Sequence, residues 1–351
     1  MNRSSTPVLD SAQNNQATSQ VYSLVTGGGG FIGTHLVRLL LEQGERVKVL
    51  ELDGVPVLDD VEVIRGSVND PDVVCQAIKG VHRVYHLAAY TNLWACDKSV
   101  FQQVNYDGTC IVLREAARAQ VEVVVHTSTE SVLTGKEDLD RPDDASIRRR
   151  LSLMPGPYCR SKLLAEQAAF EAARNGLSVI VVSPTLPIGP GDWQITPPTR
   201  MILNFLNQNI PAYLECNLNL VDVRDVAHGH VLAAQQGCSG ERYLLGHENM
   251  TLGQLLPIIE DITGLVMPKR KIPYWLALMV GASQEFTANY LTHKPPMAPL
   301  TGVRLARSMP KFDSSKAINE LGFKQSPVKQ ALIEEIAWLV KMGYVKRLFD
   351  S

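Results

Sequence analysis

The chain has 351 residues, 45% of them hydrophobic and 20% charged, which excludes a disordered or fibrous protein and leaves room for one large domain with a smaller one beside it. Its 34 basic and 36 acidic residues give a formal net charge of -2, so no overall attraction to nucleic acid or an anionic membrane is available. Six cysteines (Cys75, Cys96, Cys110, Cys159, Cys216, Cys238) are scattered without a Cys-x-x-Cys pair, which argues against structural zinc and a disulfide framework and fits a reducing cytoplasm.

Residues 1–20 are rich in Ser, Asn, Gln and Thr and lack an apolar run, so they read as a flexible tail. From Val21 onward, short β-branched runs alternate with amphipathic segments, the pattern of βαβ units and a doubly wound parallel sheet of the Rossmann type. Strands are predicted over Tyr22–Thr26, Arg46–Glu51, Val61–Arg65, Arg83–Leu87, Glu122–Thr127 and Ser178–Ser183. The helix predicted over Phe31–Gln43 has apolar residues at helical spacing and stops at Gly44. Asp70 and Pro71 start the next, with Gly80 ending it. Further helices are predicted over Val100–Gln120 and Pro157–Arg174, the latter closed by Asn175 and Gly176.

Prolines at 184, 187, 190, 197 and 198 mark a departure from the sheet, and 219–246 reads as a return to it by strand, helix and strand. The predicted organisation is a nicotinamide dinucleotide-binding Rossmann domain over 21–185 and 219–246, with a smaller, discontinuous substrate-binding domain over 186–218 and 247–345. The most apolar later stretch, Trp275–Ala282, is too short to span a bilayer and reads as a buried helix of the second domain, with peripheral membrane docking as the alternative. The basic runs Arg148–Arg150 and Lys269–Lys271 read as solvated surface, a phosphate-bearing substrate or a membrane surface being the alternative.

Between the first strand and first helix lies Thr26-Gly27-Gly28-Gly29-Gly30-Phe31-Ile32-Gly33. Gly27 permits the tight turn, Gly30 lets the backbone approach a pyrophosphate, and Gly33 lets the helix pack on the sheet. The N–H groups of Phe31, Ile32 and their neighbours at the helix start suit the phosphates. Glu51 ends the second strand, where a carboxylate accepts hydrogen bonds from the adenosine ribose, so NAD is favoured over NADP. Ser67 and Val68, after the third strand, are placed for the adenine. Leu87, Ala88 and Ala89, after the fourth, allow close backbone approach, and Thr127 and Pro184 complete the cofactor side.

Tyr158 and Lys162 stand four residues apart, hence on one helix face. An ammonium there is expected to lower the phenol's pKa toward the working range of a general acid or base, which ketone/alcohol interconversion requires. A hydroxyl from Thr129 can donate to the substrate oxygen, with Ser128 and Ser131 as rivals.

These residues resemble the extended short-chain dehydrogenase/reductase superfamily, also called the NAD-dependent epimerase/dehydratase family. The resemblance rests on Thr26–Gly33, His86–Ala89, Val104–Thr109, Thr127–Thr129, Tyr158–Lys162 and Asp222–Ala227. Ser183–Pro190 and Asn219–Val223 look most like the dihydroflavonol reductase-like branch that includes hopanoid-associated sugar epimerases. The resemblance implies Thr129, Tyr158 and Lys162 acting beside a nicotinamide. It also implies a homodimer through the helices at 100–120 and 157–174. Asn105 matches the family's structural or active-site asparagine, which the resemblance counts on the cofactor-binding side, or else caps a loop. Ser67 departs from the family, where Asp is frequent, and Asp138–Leu153 is a long charged segment that reads as a lid or a surface insertion.

Dehydratases of the family resemble Thr-Asp-Glu where this chain has Thr129-Glu130-Ser131, so elimination is disfavoured. The favoured function is an NAD(P)-dependent oxidoreductase interconverting a ketone and a secondary alcohol, with a small-molecule substrate and no metal. An NAD-dependent nucleotide-sugar epimerase is the alternative, and a non-catalytic NAD(H)-sensing regulator the further one. Substrate-side candidates are Asn92, Trp94, Asn204 and Arg304, with Trp193, Arg200 and Tyr213 beside them. Arg200, Arg224 and Arg304 are the groups available to a diphosphate.

Overall fold

The computed structural model describes residues 21–134 and 144–345. The predicted tail, and the 138–143 part of the predicted insertion, lie outside the described residues. In chain order the elements begin with β1 (Tyr22–Thr26), α1 (Phe31–Glu42), β2 (Arg46–Glu51), β3 (Glu62–Arg65), α2 (Pro71–Ile78) and β4 (Arg83–His86). Next come α3 (Gly108–Arg118), β5 (Val123–Thr127), α4 (Asp144–Leu153), α5 (Pro157–Arg174), β6 (Val179–Pro184) and β7 (Leu186–Ile188). They are followed by α6 (Pro197–Leu206), β8 (Asn217–Asp222), α7 (Val223–Gln236), β9 (Arg242–Leu245), β10 (Glu248–Thr251) and α8 (Leu252–Thr263). The chain closes with α9 (Tyr274–Thr287), α10 (Leu300–Ser308), α11 (Ser315–Leu321) and α12 (Val328–Lys341).

Seven strands form one parallel sheet in the order β3-β2-β1-β4-β5-β6-β9. The inner strands are buried on both faces, as their Val-rich runs require. Leu36, Val37 and Leu40 of α1 join Val226 and Val231 of α7 on one face. Val74 and Ile78 of α2, Val112 and Leu113 of α3, and Phe170 of α5 cover the other. Each such buried side chain contributes roughly 1.5–3 kcal/mol. The strand order reverses between β1 and β4, which opens a crevice at their C-terminal ends.

Helix ends follow local chemistry. Asp70 caps α2 by accepting from the N–H groups of Asp72 and Val73, and Pro71 takes the first turn, where no N–H is needed. The predicted helix over 100–120 is split: Phe101–Asp107 is wound in wider π-helical turns and α3 starts only at Gly108. Hydrophobic spacing does not distinguish the two windings, and the wider one brings Asn105 to face Tyr90 and Ser161.

Two further elements differ from expectation. β8, the strand read as the return to the large sheet, instead sits in a second sheet of order β10-β8-β7; α7 and β9 make the return. The second sheet, with α6, α8 and α12, encloses its own core around Ile202, Leu220, Leu255 and Leu332. The apolar stretch from Trp275 forms a helix as read, but the helix is not buried: of α9 only Ala277 and Gly281 are enclosed, and Trp275 and Met279 face outward.

Candidate functional site

A cleft of about 1070 Å³ runs from the crevice between β1 and β4 to α9 and α10. At one end it is built by the turn after β1. Gly27 has φ +72°, and a Cβ there would lie 2.9 Å from Ala88 Cα. A Cβ on Gly33 would overlap the Gly27 carbonyl oxygen, so glycine at both places lets the turn, α1 and the segment after β4 close together. Beneath the turn, Thr26 Oγ1 and His86 Nδ1 are 2.8 Å apart, and His86 Nε2 lies 2.9 Å from Thr109 Oγ1. Burial, then the Lys162 ammonium, lower the His86 pKa to about 3, which keeps this link neutral.

Gly27, Gly30, Phe31, Ile32 and Gly33 line this end together with Glu51, Ser67, Val68, Leu87, Ala88 and Ala89. Glu51 Oε2 accepts from Gly29 N at 2.9 Å, and Oε1 from Leu52 N at the same distance, which fixes the carboxylate beside the turn. An arginine that the sequence reading passed over, Arg65, pairs in register with Glu51 on β3; it donates to the carbonyls of Leu52 and Val55 at 2.8 Å. The glycine cradle and the N–H groups at the start of α1, which no side chain caps, fit a dinucleotide pyrophosphate.

In the middle of the cleft, Thr127, Thr129, Tyr158, Lys162 and Pro184 converge from β5, α5 and β6. Pro157 opens α5, and its N-terminal neighbour Gly156 packs so tightly on Thr301 of α10 that no side chain fits there. Lys162 Nζ donates to the Thr127 carbonyl at 2.7 Å, and burial pulls its pKa down to about 8 against the pull of Glu166. The Tyr158 phenol departs from expectation. Burial first and the Glu130 carboxylate second push its pKa up, while a hydrogen bond with Thr129 pulls the other way. Within the chain itself, burial outweighs the expected depression by Lys162, whose hydrogen bond goes to the Thr127 carbonyl. The chain therefore holds Tyr158 as a neutral phenol, ready to donate.

Thr129 Oγ1 lies 3.0 Å from Glu130 Oε2 and 3.3 Å from Ser131 Oγ. Of its rivals, Ser128 donates to Glu166 at 2.6 Å, whereas Ser131 stays beside Thr129. Glu130 lines the cleft, and burial raises its pKa to about 7, partly offset by the Thr129 hydroxyl. That burial has no local signal, since a carboxylate in a polar run ordinarily faces solvent.

The substrate-side expectations divide. Asn92 and Tyr213 line the cleft; Trp94, Asn204, Arg304, Arg200 and Trp193 do not. Trp94 is buried and donates to Asn289 at 3.0 Å, Asn204 bonds with Asn209, and Arg304 reaches the Pro155 carbonyl. Trp193 packs edge-on against Trp338, and Arg200 donates to the Ile195 carbonyl. Arg224 is engaged by Asp222 and Glu334. Asn105 lies outside the cleft: its amide accepts from Tyr90 N at 2.7 Å and donates to Ser161 Oγ at 3.0 Å, tying the loop after β4 to α5. Beyond Tyr158 the walls are mainly apolar, with Met201, Phe205, Leu276, Val280, Met297 and Val303 among them, and Gln194, Thr196, Asn209, Asn217 and Gln284 add uncharged polar groups. Among the described residues, Lys162 is the only basic side chain lining the cleft.

Comparisons with known proteins agree with this frame. The family model "NAD dependent epimerase/dehydratase family" matches residues 23–246. A protein of Synechocystis sp. named for dihydroflavonol 4-reductase is 40% identical over 92% of this chain and 95% of its own length. Sterol demethylase protein B of Methylococcus capsulatus is 32% identical over 92% of this chain and 99% of its own. Among solved structures, that of gox2253 superposes with a TM-score of 0.79 at 33% identity, covering 93% of this chain and 99% of its own. A Thermus thermophilus UDP-glucose 4-epimerase in complex with NAD gives 0.69 at 21% identity over 91% and 99%, a likeness of fold.

Proposed function

The chain belongs to the NAD-dependent epimerase/dehydratase family of extended short-chain dehydrogenases, and from that premise we propose that it is an oxidoreductase interconverting a bulky, apolar ketone and the corresponding secondary alcohol. The carrying observation is the substrate end of the cleft, walled mainly by aliphatic and aromatic side chains, with uncharged polar groups between them and Lys162 as the only basic group among the described lining residues. A nucleotide sugar brings a diphosphate, whose recognition calls for guanidinium or ammonium donors. Arg200, Arg224 and Arg304, the candidates for that task, are engaged elsewhere.

The dinucleotide's pyrophosphate is assigned to the turn from Gly27 to Gly33, its adenosine ribose to Glu51, its adenine to Ser67 and Val68, and its nicotinamide end to Leu87–Ala89, Thr127 and Pro184. NAD is preferred to NADP, because a carboxylate at the end of β2 favours a ribose hydroxyl over a 2′-phosphate and Arg65 is occupied by two carbonyls. When bound, the cofactor supplies or accepts the hydride at the carbonyl carbon. Tyr158 supplies the proton to the carbonyl oxygen: its phenol is kept protonated by burial and bonded to Thr129. Thr129 orients that oxygen, and the Lys162 ammonium, held in place by the Thr127 carbonyl, stabilises the phenolate left behind.

The test is a substrate panel read by the absorbance of reduced nicotinamide. Sustained NADH consumption with bulky apolar ketones, and none with nucleotide sugars, is expected. Conversion of a nucleotide sugar without net cofactor change would replace the reading with epimerisation. Cofactor binding without any turnover would replace it with a regulator.

A further inference from the structure

α9 has two unlike faces. Its inner face packs through Gly281 against Val303 of α10, and Leu276 and Val280 line the cleft. Its outer face carries Trp275, Met279 and Phe286, and the turn that follows adds Tyr290 and Leu291; all five are exposed. Met279 is 62% exposed, Phe286 60% and Leu291 71%, values of side chains with no cover from the chain itself. The spacing 275, 279, 286, 290 puts them on one stripe, and the Phe286 and Tyr290 rings touch at 4.8 Å between centroids. Scattered exposed apolar residues are ordinary, but a continuous stripe of this kind marks a surface that meets another phase or partner.

The charge around the stripe selects the partner. Residues 264–309 contain six basic residues (Lys269, Arg270, Lys271, Lys294, Arg304, Arg307) and one acidic residue, Glu285, in a chain whose net charge is -2; Lys271 pairs with Glu215 and Arg304 donates to the Pro155 carbonyl, which leaves Lys269, Arg270, Lys294 and Arg307 to set the charge around the stripe. Glu285 is engaged internally, accepting from Leu300 N at 3.1 Å and pairing with Lys98. Lys269 and Arg270 are exposed where the chain enters α9, the Arg307 guanidinium lies 4.6 Å from the Tyr274 ring centroid, and Lys294 is exposed just past Leu291. Basic groups thus flank both ends of an apolar stripe, the arrangement that seats on a bilayer carrying negative headgroups.

We propose that the outer face of α9, with the segment through Leu291, docks on an anionic lipid surface, bringing the cleft between α9 and α10 to that surface so that a lipid-soluble ketone is taken up there. Only the uptake rests on the reductase reading; docking is tested without turnover, so either can fail alone.

The experiment is co-sedimentation of the full chain with vesicles of phosphatidylcholine alone, or of phosphatidylcholine mixed with phosphatidylglycerol. The variant Met279→Glu/Phe286→Glu/Leu291→Glu alters no cleft-lining residue. Binding to the mixed vesicles is expected to exceed binding to neutral ones by about tenfold or more, to weaken at high salt and to be lost in the variant. The variant should melt at the wild-type temperature and bind NADH as the wild type does. A wild type that does not sediment with the anionic vesicles overturns the proposal. So does a normally melting variant that sediments equally well. A wild-type dimer in analytical ultracentrifugation that the variant converts to monomer would give the stripe to a second copy and overturn it too. If the variant melts low, single Met279→Glu and Leu291→Glu variants carry the same comparison.

Discussion

Lys162 Nζ donates to the main-chain oxygen of Thr127 at 2.7 Å, which fastens the second turn of α5 to the last residue of β5. The bond holds a buried ammonium one helical turn from Tyr158, where it can stabilise charge that develops on the phenol. Lys162→Met removes that charge and leaves the carbonyl without its donor. Steady-state turnover should fall by about a hundredfold or more, while Lys162→Arg, which puts a larger planar guanidinium in place of a buried ammonium, should not fully restore it. Unchanged turnover in Lys162→Met would remove the ammonium from the mechanism.

Gly33 is the tightest point of the turn. In Gly33→Ala the new methyl overlaps the Gly27 carbonyl and lies 2.9 Å from Gly28 Cα, so α1 must shift off the turn. A stability loss of about 1–3 kcal/mol is expected, with NADH binding weakened at least in proportion. Thermal melting with and without NADH reads both effects; a variant still stabilised by NADH to the wild-type extent would contradict the assignment of this turn.

Glu51 bears on cofactor choice. Glu51→Ala frees Gly29 N and Leu52 N and removes the carboxylate from the ribose side, so NADH affinity should drop about tenfold. NADPH affinity should drop less or rise, as a fluorescence titration with each cofactor would show. Equal losses for both would mean that the carboxylate only shapes the turn.

Glu130 gives stability a pH signature. Its pKa is raised from 4.5 to about 7, chiefly by burial, so the folded chain holds a proton that the unfolded chain releases. This group's contribution is therefore fully present at low pH and declines as pH rises through that window, levelling above about 7. Glu130→Gln removes the decline. In urea titrations from about pH 5 to about pH 8, the variant should gain stability relative to the wild type as pH rises. A difference that stays flat would show that the carboxyl titrates as if solvated.

Much of the fold was legible because its signals are local. The β-branched runs at 22–26, 46–51 and 179–184 mark buried parallel strands, the glycines at 27, 30 and 33 mark a turn that excludes side chains, and Pro157 with Asn175 and Gly176 bounds α5 at both ends. What was not legible depends on tertiary partners. Nothing in 219–222 says that β8 pairs with β7 and β10, nothing in Trp94 or Arg224 says that Asn289, Asp222 and Glu334 engage them, and apolar spacing in 274–287 does not say which face the fold leaves bare. The raised pKa of Tyr158 has the same origin: spacing places Lys162 on its face, but only the packed chain shows how deeply the phenol is buried and that Glu130 lies close enough to add to the rise.

The most direct measurement is the turnover of Tyr158→Phe with the ketone that the wild type reduces fastest, alongside its NADH affinity and melting temperature. Loss of the proton donor should lower kcat by about 10²–10⁴-fold with affinity and melting unchanged. Turnover at the wild-type rate in a variant that folds and binds NADH normally would contradict Tyr158 as the proton donor.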